Sequence, residues 1–177
     1  MKETKTSKIA LGGICLALTI VFLFAGSMVP GIELTLFAIS SLFTAVMIIE
    51  SGVKGGIMLY AAAVILGLIL IPNKLAMIPY AFFFGYYGIL KFYIEKLGKG
   101  IPQIAAKVIF FAIVLCIGLL GFKELLLGSI HLPDYPVILL IVAGVIMMMV
   151  YDYIYTLLIN FYLKRIKNKG LDNTKLS

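Results

Sequence analysis

The residues best placed to do chemistry are the few ionisable side chains that fall inside apolar runs. Lys91 and Glu95 occur in "FFFGYYGILKFYIEK", and Asp152 occurs in "VYDYIYT". An unpaired charge at the centre of a bilayer costs about 3 kcal/mol or more, so each of these groups needs a partner, a cavity or a nearby interface. Lys91 and Glu95 lie four residues apart, on one face of a helix. Two readings stand for them. In one they form a local ion pair where the helix leaves the lipid, with the lysine snorkelling to water. In the other Lys91, a full turn deeper than Glu95, reaches Asp152 on another helix, with Tyr151, Tyr153 and Tyr155 around the pair. Glu50 and Lys54 are candidates for the same layer. Such a layer acts either as a clasp between helices or as part of a proton or ion route.

Catalysis would require several polar groups converging at one depth. The sequence carries no HExxH, no GxSxG, no P-loop and no usefully spaced pair of carboxylates. Its single histidine, His131, lies in a polar stretch beside Pro133 and Asp134. Cys15 and Cys116 sit inside apolar runs without a CxxC or histidine neighbour, where cysteine behaves as a small hydrophobe. The expectation is a protein that is not an enzyme and has no metal site and no cofactor.

The elements that hold these residues are set by composition. Of 177 residues, 63% are hydrophobic and 13% charged, with a mean hydropathy of +1.14. A soluble domain is nearer half apolar and a quarter charged, so the bilayer must serve as solvent. The net charge of +7 lies in short clusters between apolar runs rather than along one face, which argues against nucleic acid and for a topology signal. Apolar runs long enough to span, about 17–25 residues in the usual case, predict an all-α membrane protein. It is a single domain of six transmembrane helices, at approximately 9–29, 34–49, 55–71, 75–94, 104–122 and 137–163. Although "MKETKTSK" and the run after it imitate a secretory signal, that run is too long for a signal core and reads as a retained first helix. With these spans, every lysine and arginine except Lys74 and Lys123 falls on one side. The positive-inside rule makes that side cytoplasmic, together with both termini. Asp152 then lies about 16 residues, or roughly 24 Å, in from the outer end of its helix.

Two further features bear on partners and ligands. Gly13 and Ala17 in "ALGGICLA" form a small-xxx-small pair that lets another helix approach closely, either within the bundle or on a separate subunit. The segment "IPYAFFFGYYG" places Tyr80 and Phe83 after Pro79, close to Asn73 and Lys74, where a solute arriving from outside would meet the protein. A proline there frees backbone carbonyls, and its aromatic residues suit a pocket lining or an interfacial belt.

With six spans, cytoplasmic ends, this length and small residues in the first helix, the chain resembles the substrate-binding S components of energy-coupling factor transporters. The resemblance is one of outline and covers the whole chain. It implies a pocket facing outward beneath the first, third and fifth loops, with Glu33, Asn73, Lys74, Tyr80, His131, Asp134 and Tyr135 as substrate-binding candidates. It also implies a helix-one docking face, whose Ala-xxx-Ala pattern is matched most nearly by Gly13 and Ala17. The metal-binding subgroup has a histidine-rich N-terminus that this sequence lacks, so the expected ligand is a small, vitamin-like organic solute. The sequence holds no ATPase motif, and transport would therefore need a separate coupling subunit and ATPases in a bacterial plasma membrane. The outline is also similar to the small rod-shape membrane proteins, which scaffold cell-wall machinery and transport nothing. A lipid-modifying enzyme is disfavoured by the shortage of polar residues in the spans.

Overall fold

The computed structural model describes residues 5–29, 31–96, 100–121 and 137–164. Helix α1 runs Lys5–Met28, α2 Glu33–Leu70, α3 Gly85–Glu95, α4 Ile101–Gly121 and α5 Val137–Tyr162. Between α2 and α3 lie a 3₁₀ turn, Lys74–Met77, and a π-helical turn, Tyr80–Phe84, that runs straight into α3. No strand occurs among the described residues. Five helical segments are long and apolar enough to cross a membrane: Thr6–Met28, Glu33–Leu70, Lys74–Glu95, Ile101–Gly118 and Ile141–Tyr162. Large apolar side chains such as Ile9, Met58 and Met147 lie more than two-thirds exposed. A water-soluble monomer does not present such surface over its whole outside; this is a membrane protein.

The expected second and third helices are joined in α2, but α2 is not straight. Gly52 interrupts it with φ 77° and ψ 178°, a conformation open essentially to glycine alone. The two arms then pack on each other. A Cβ on Gly56 would collide with the Ile48 side chain and lie 3.6 Å from the Thr44 carbonyl oxygen. In a straight helix, residues 44 and 56 would be about 18 Å apart along the axis. Phe37 and Ala63, from opposite arms, share one buried cluster with Leu23 of α1 and with Ile71, Met77 and Tyr80. Helix α1 lies against this hairpin, with Cys15 packed between Met47 and Leu59.

A second core joins the other elements. Ala45, Phe83, Tyr87, Phe111 and Tyr155 bury their side chains together, one from α2, two from the third segment and one each from α4 and α5. Gly88 makes this possible, because a Cβ there would stand 2.5 Å from the Tyr155 hydroxyl. Several hydroxyls on these helices bond back to their own backbone, as Thr19 does to Cys15 (2.8 Å) and Ser40 to Phe37 (2.7 Å). Such bonds satisfy polar groups where no water is present.

Candidate functional site

Three helices bring their charges to one place. Helix α3 carries Tyr87, Lys91 and Glu95 at successive turns, α5 carries Asp152, Tyr155 and Thr156, and α4 contributes Lys107. The Asp152 carboxylate is shared. Its Oδ1 accepts from Lys91 and from the Tyr87 hydroxyl (2.6 Å), and its Oδ2 accepts from Lys107 at 2.5 Å. Lys91 also donates to Thr156 Oγ1 (2.8 Å) and lies 3.0 Å from Glu95 Oε1. An ammonium has three donors, and Asp152, Thr156 and Glu95 account for all three. Glu95 reaches Lys107 as well, at 3.8 Å.

The cluster holds two cations and two anions and is therefore neutral in sum. That matters because desolvating an unbalanced charge costs several kcal/mol even after relaxation. Lys91 is only 2% exposed and Lys107 and Asp152 are 7% exposed, whereas the Glu95 side chain is 42% exposed and marks the wet edge. Each carboxylate oxygen of Asp152 and all three donors of Lys91 are engaged within the cluster, and the unspent valences lie on Lys107 and at the wet edge on Glu95. Chemically the arrangement is a clasp between α3, α4 and α5.

Beside the clasp lies a cavity of about 640 Å³ between the first arm of α2, residues 78–86, α4 and α5. Ala38, Phe83, Tyr86, Gly118, Met147 and Tyr151 are among its lining residues, and nearly all of its surface is carbon. Its volume falls within the ~300–1,000 Å³ typical of small-molecule sites. Of its three lining tyrosines, Tyr86, Tyr151 and Tyr155, two have their hydroxyls engaged elsewhere: Tyr151 with Ser41 Oγ at 2.8 Å, Tyr155 with the Ser41 carbonyl at 3.1 Å. Phe83 stands at the centre of the aromatic wall, with ring centroids at 5.3 Å from Tyr87, 6.0 Å from Phe111 and 6.0 Å from Tyr151. The π-helical turn that aims it follows Pro79, which lacks an amide donor. The Tyr60 hydroxyl donates to the Ala81 carbonyl inside this turn (2.7 Å). No family model, no curated protein and no solved structure matches this chain.

The residues singled out from the sequence fall into five groups. Lys91, Asp152 and Glu95 come together, so the alternatives of a local pair and an interhelical pair are both realised. Phe83 lines the cavity. Glu33, Asn73, Lys74 and Tyr80 do not line it: Glu33 accepts from the Gly31 amide (2.8 Å) and Asn73 from the Leu75 amide (3.2 Å). Lys74 donates to the carbonyls of Leu68, Ile69 and Ile71 that end α2, and Tyr80 is fully buried in the core beside Phe37. His131, Asp134 and Tyr135 lie outside the described residues. Gly13 and Ala17 are on an exposed face of α1, with open space at Gly13, while Gly12 beside them meets Met47 at 3.3 Å.

Lys107 and Tyr87 were not singled out for the layer. Helix α4 starts at Ile101 rather than near 104, which puts Lys107 in its second turn, about 9 Å from the end. A lysine that far into an apolar helix, with no acidic neighbour on its own helix, was the available signal. Tyr153 does not join the layer and is 65% exposed. Two residues along a helix turn a side chain by about 200°, so Tyr153 points away from the face that carries Tyr151 and Tyr155. Glu50 accepts from the Tyr162 hydroxyl at 3.2 Å instead of joining Asp152.

Proposed function

We propose that this chain is a membrane-embedded, substrate-binding subunit that holds a small organic molecule for uptake and performs no catalysis. The cavity walled by α2, the 78–86 segment, α4 and α5 carries the reading: it has ligand-binding size and lies beside a clasp that fixes three of its helices. The break at Gly52 supports counting the two arms of α2 as separate spans, six in all, and the distribution of basic residues supports cytoplasmic termini. Under this orientation the cavity runs from the outer end, at Leu34 and Gly118, past the middle of the bilayer to Tyr155 and Leu158.

Energy would come from outside the chain, through a coupling membrane subunit and ATPases in a bacterial plasma membrane, in the manner of the energy-coupling factor S components that the sequence resembles. Gly13 and Ala17 are available for that contact because their face of α1 is open. The test is gentle solubilisation of native membranes, affinity capture of the tagged chain and identification of what accompanies it. Recovery of an ATPase with a coupling subunit supports the reading. Recovery of cell-wall synthesis proteins with no transport ATPase would replace it with the scaffold alternative.

A further inference from the structure

The cavity does not stop at Tyr155. A second apolar hollow of about 190 Å³ continues it, sharing Leu42 and Leu158 and ending at Ile49 and Tyr162. Together they form one groove between α2 and α5. From Leu34 to Ile49 it extends about 22 Å, most of a hydrocarbon core ~30 Å thick. Its rim residues Phe82, Met147, Val150 and Ile154 are each about half exposed or more, so it opens sideways, toward lipid. The inner end has a different character: the Tyr162–Glu50 hydrogen bond closes it, and Lys164 and Lys54, both exposed, follow each of these residues within a few positions.

We infer that the groove takes the apolar chain of an anionic amphiphile, which enters sideways from the bilayer and sets its charged head at the Lys54 and Lys164 end. This rests on the binding reading above and names its ligand class. A vitamin-like solute rich in hydrogen-bonding groups would leave most of them unpaired along these walls, because the hydroxyls of Tyr151 and Tyr155 already serve Ser41 and only Tyr86 and Thr35 add further hydroxyls to the lining. An apolar chain loses nothing there. A partner helix is a poorer fit, since helices in lipid meet through small residues and here Ala38, Gly118 and Gly144 are set among bulky walls such as Phe83, Met147, Tyr151 and Leu158. The head is anionic by charge complementarity: the exposed Lys54 and Lys164 outnumber Glu50, whose carboxylate already accepts from Tyr162, and a lysine near a membrane surface attracts acidic headgroups.

The experiment uses the full chain in nanodiscs with two probes carrying the same diazirine-labelled chain, a fatty acid and a phosphatidylglycerol. Saturable labelling of residues 78–86 and 144–158 by either probe is expected. Ala38→Trp, or Met147→Trp from the opposite wall, should weaken it about tenfold; Val21→Trp on the far face of α1 should not. Lys54→Glu and Lys164→Glu should each lower the preference for the anionic probes over a phosphatidylcholine analogue about fivefold, without moving the labelled positions. Labelling that is equal on α1 and in the groove and indifferent to both tryptophans would overturn the inference, as would a second polypeptide cross-linked there instead of lipid. Native mass spectrometry separates the two readings. A water-soluble solute displaced by Ala38→Trp, with no saturable photolabelling, keeps the binding subunit and sinks the amphiphile, whereas the absence of both sinks both.

Discussion

The clasp around Asp152 and the groove beside it share a wall, Tyr151 and Tyr155, yet they are built on opposite plans. In the clasp every strong polar group is matched: two lysines against two carboxylates, with Tyr87 and Thr156 completing the set. In the groove almost no polar atom faces inward. In lipid, burying apolar surface supplies little force between helices, and a bundle with a hollow in it needs directional bonds to hold its shape. The clasp supplies them where α3, α4 and α5 meet, and the groove beside it stays open.

Substitutions can separate the two regions, and the largest effect is expected at Asp152. Asp152→Asn leaves Lys91 and Lys107 buried with only Glu95 to balance them. Removing one partner of a buried ion pair costs about 3–5 kcal/mol, so loss of folded protein in size-exclusion profiles from mild detergent is expected. The three-helix character of the clasp can be checked by charge exchange. If Lys91 and Asp152 formed an isolated pair, swapping them would restore stability. With Lys107 on the second oxygen and Glu95 on Lys91, the swap sets a lysine at 152 against Lys107 and an aspartate at 91 against Glu95, and stability stays low until Lys107→Glu and Glu95→Lys are both added.

Next comes Gly88→Val, which drives a side chain into the Tyr155 hydroxyl and the α2 backbone beside Ala45. Overpacking of this kind costs about 1–3 kcal/mol and should lower the thermal midpoint in detergent while leaving the charges intact. A smaller loss, about 1 kcal/mol, is expected for Tyr87→Phe, which removes one of three donors to Asp152. The smallest is Glu95→Gln. Its carboxylate is 42% exposed and screened by water, although the lysine it faces is buried, so the variant's midpoint should fall less than that of Tyr87→Phe.

The chain's apolar character, its membrane-length helices and the meeting of Lys91 with Asp152 were legible because each follows from a strong local rule: run length in lipid, and the cost of a charge inside it. The hairpin in α2 was signalled by Glu50 and Gly52 between two short apolar runs, though the continuous helix across them was not. Glu33, Asn73 and Lys74 stood out as polar groups at one end of the bundle. Sequence alone could not tell a residue that greets a solute from one that caps its own backbone, because capping depends on the path of the turn. Lys107 was hidden for a different reason: it lies 45 positions from Asp152, and only the packing of α4 against α5 brings them together. The groove was invisible for the same cause, since a hollow is made by what neighbouring helices fail to fill.

The most direct test of the account is native mass spectrometry of the chain released from its own membranes, beside the Ala38→Trp variant. If the groove is a binding site, the parent chain carries a reproducible bound mass that the variant lacks while its thermal midpoint is unchanged. A parent chain that flies bare, or a variant that keeps the same bound mass, would contradict it.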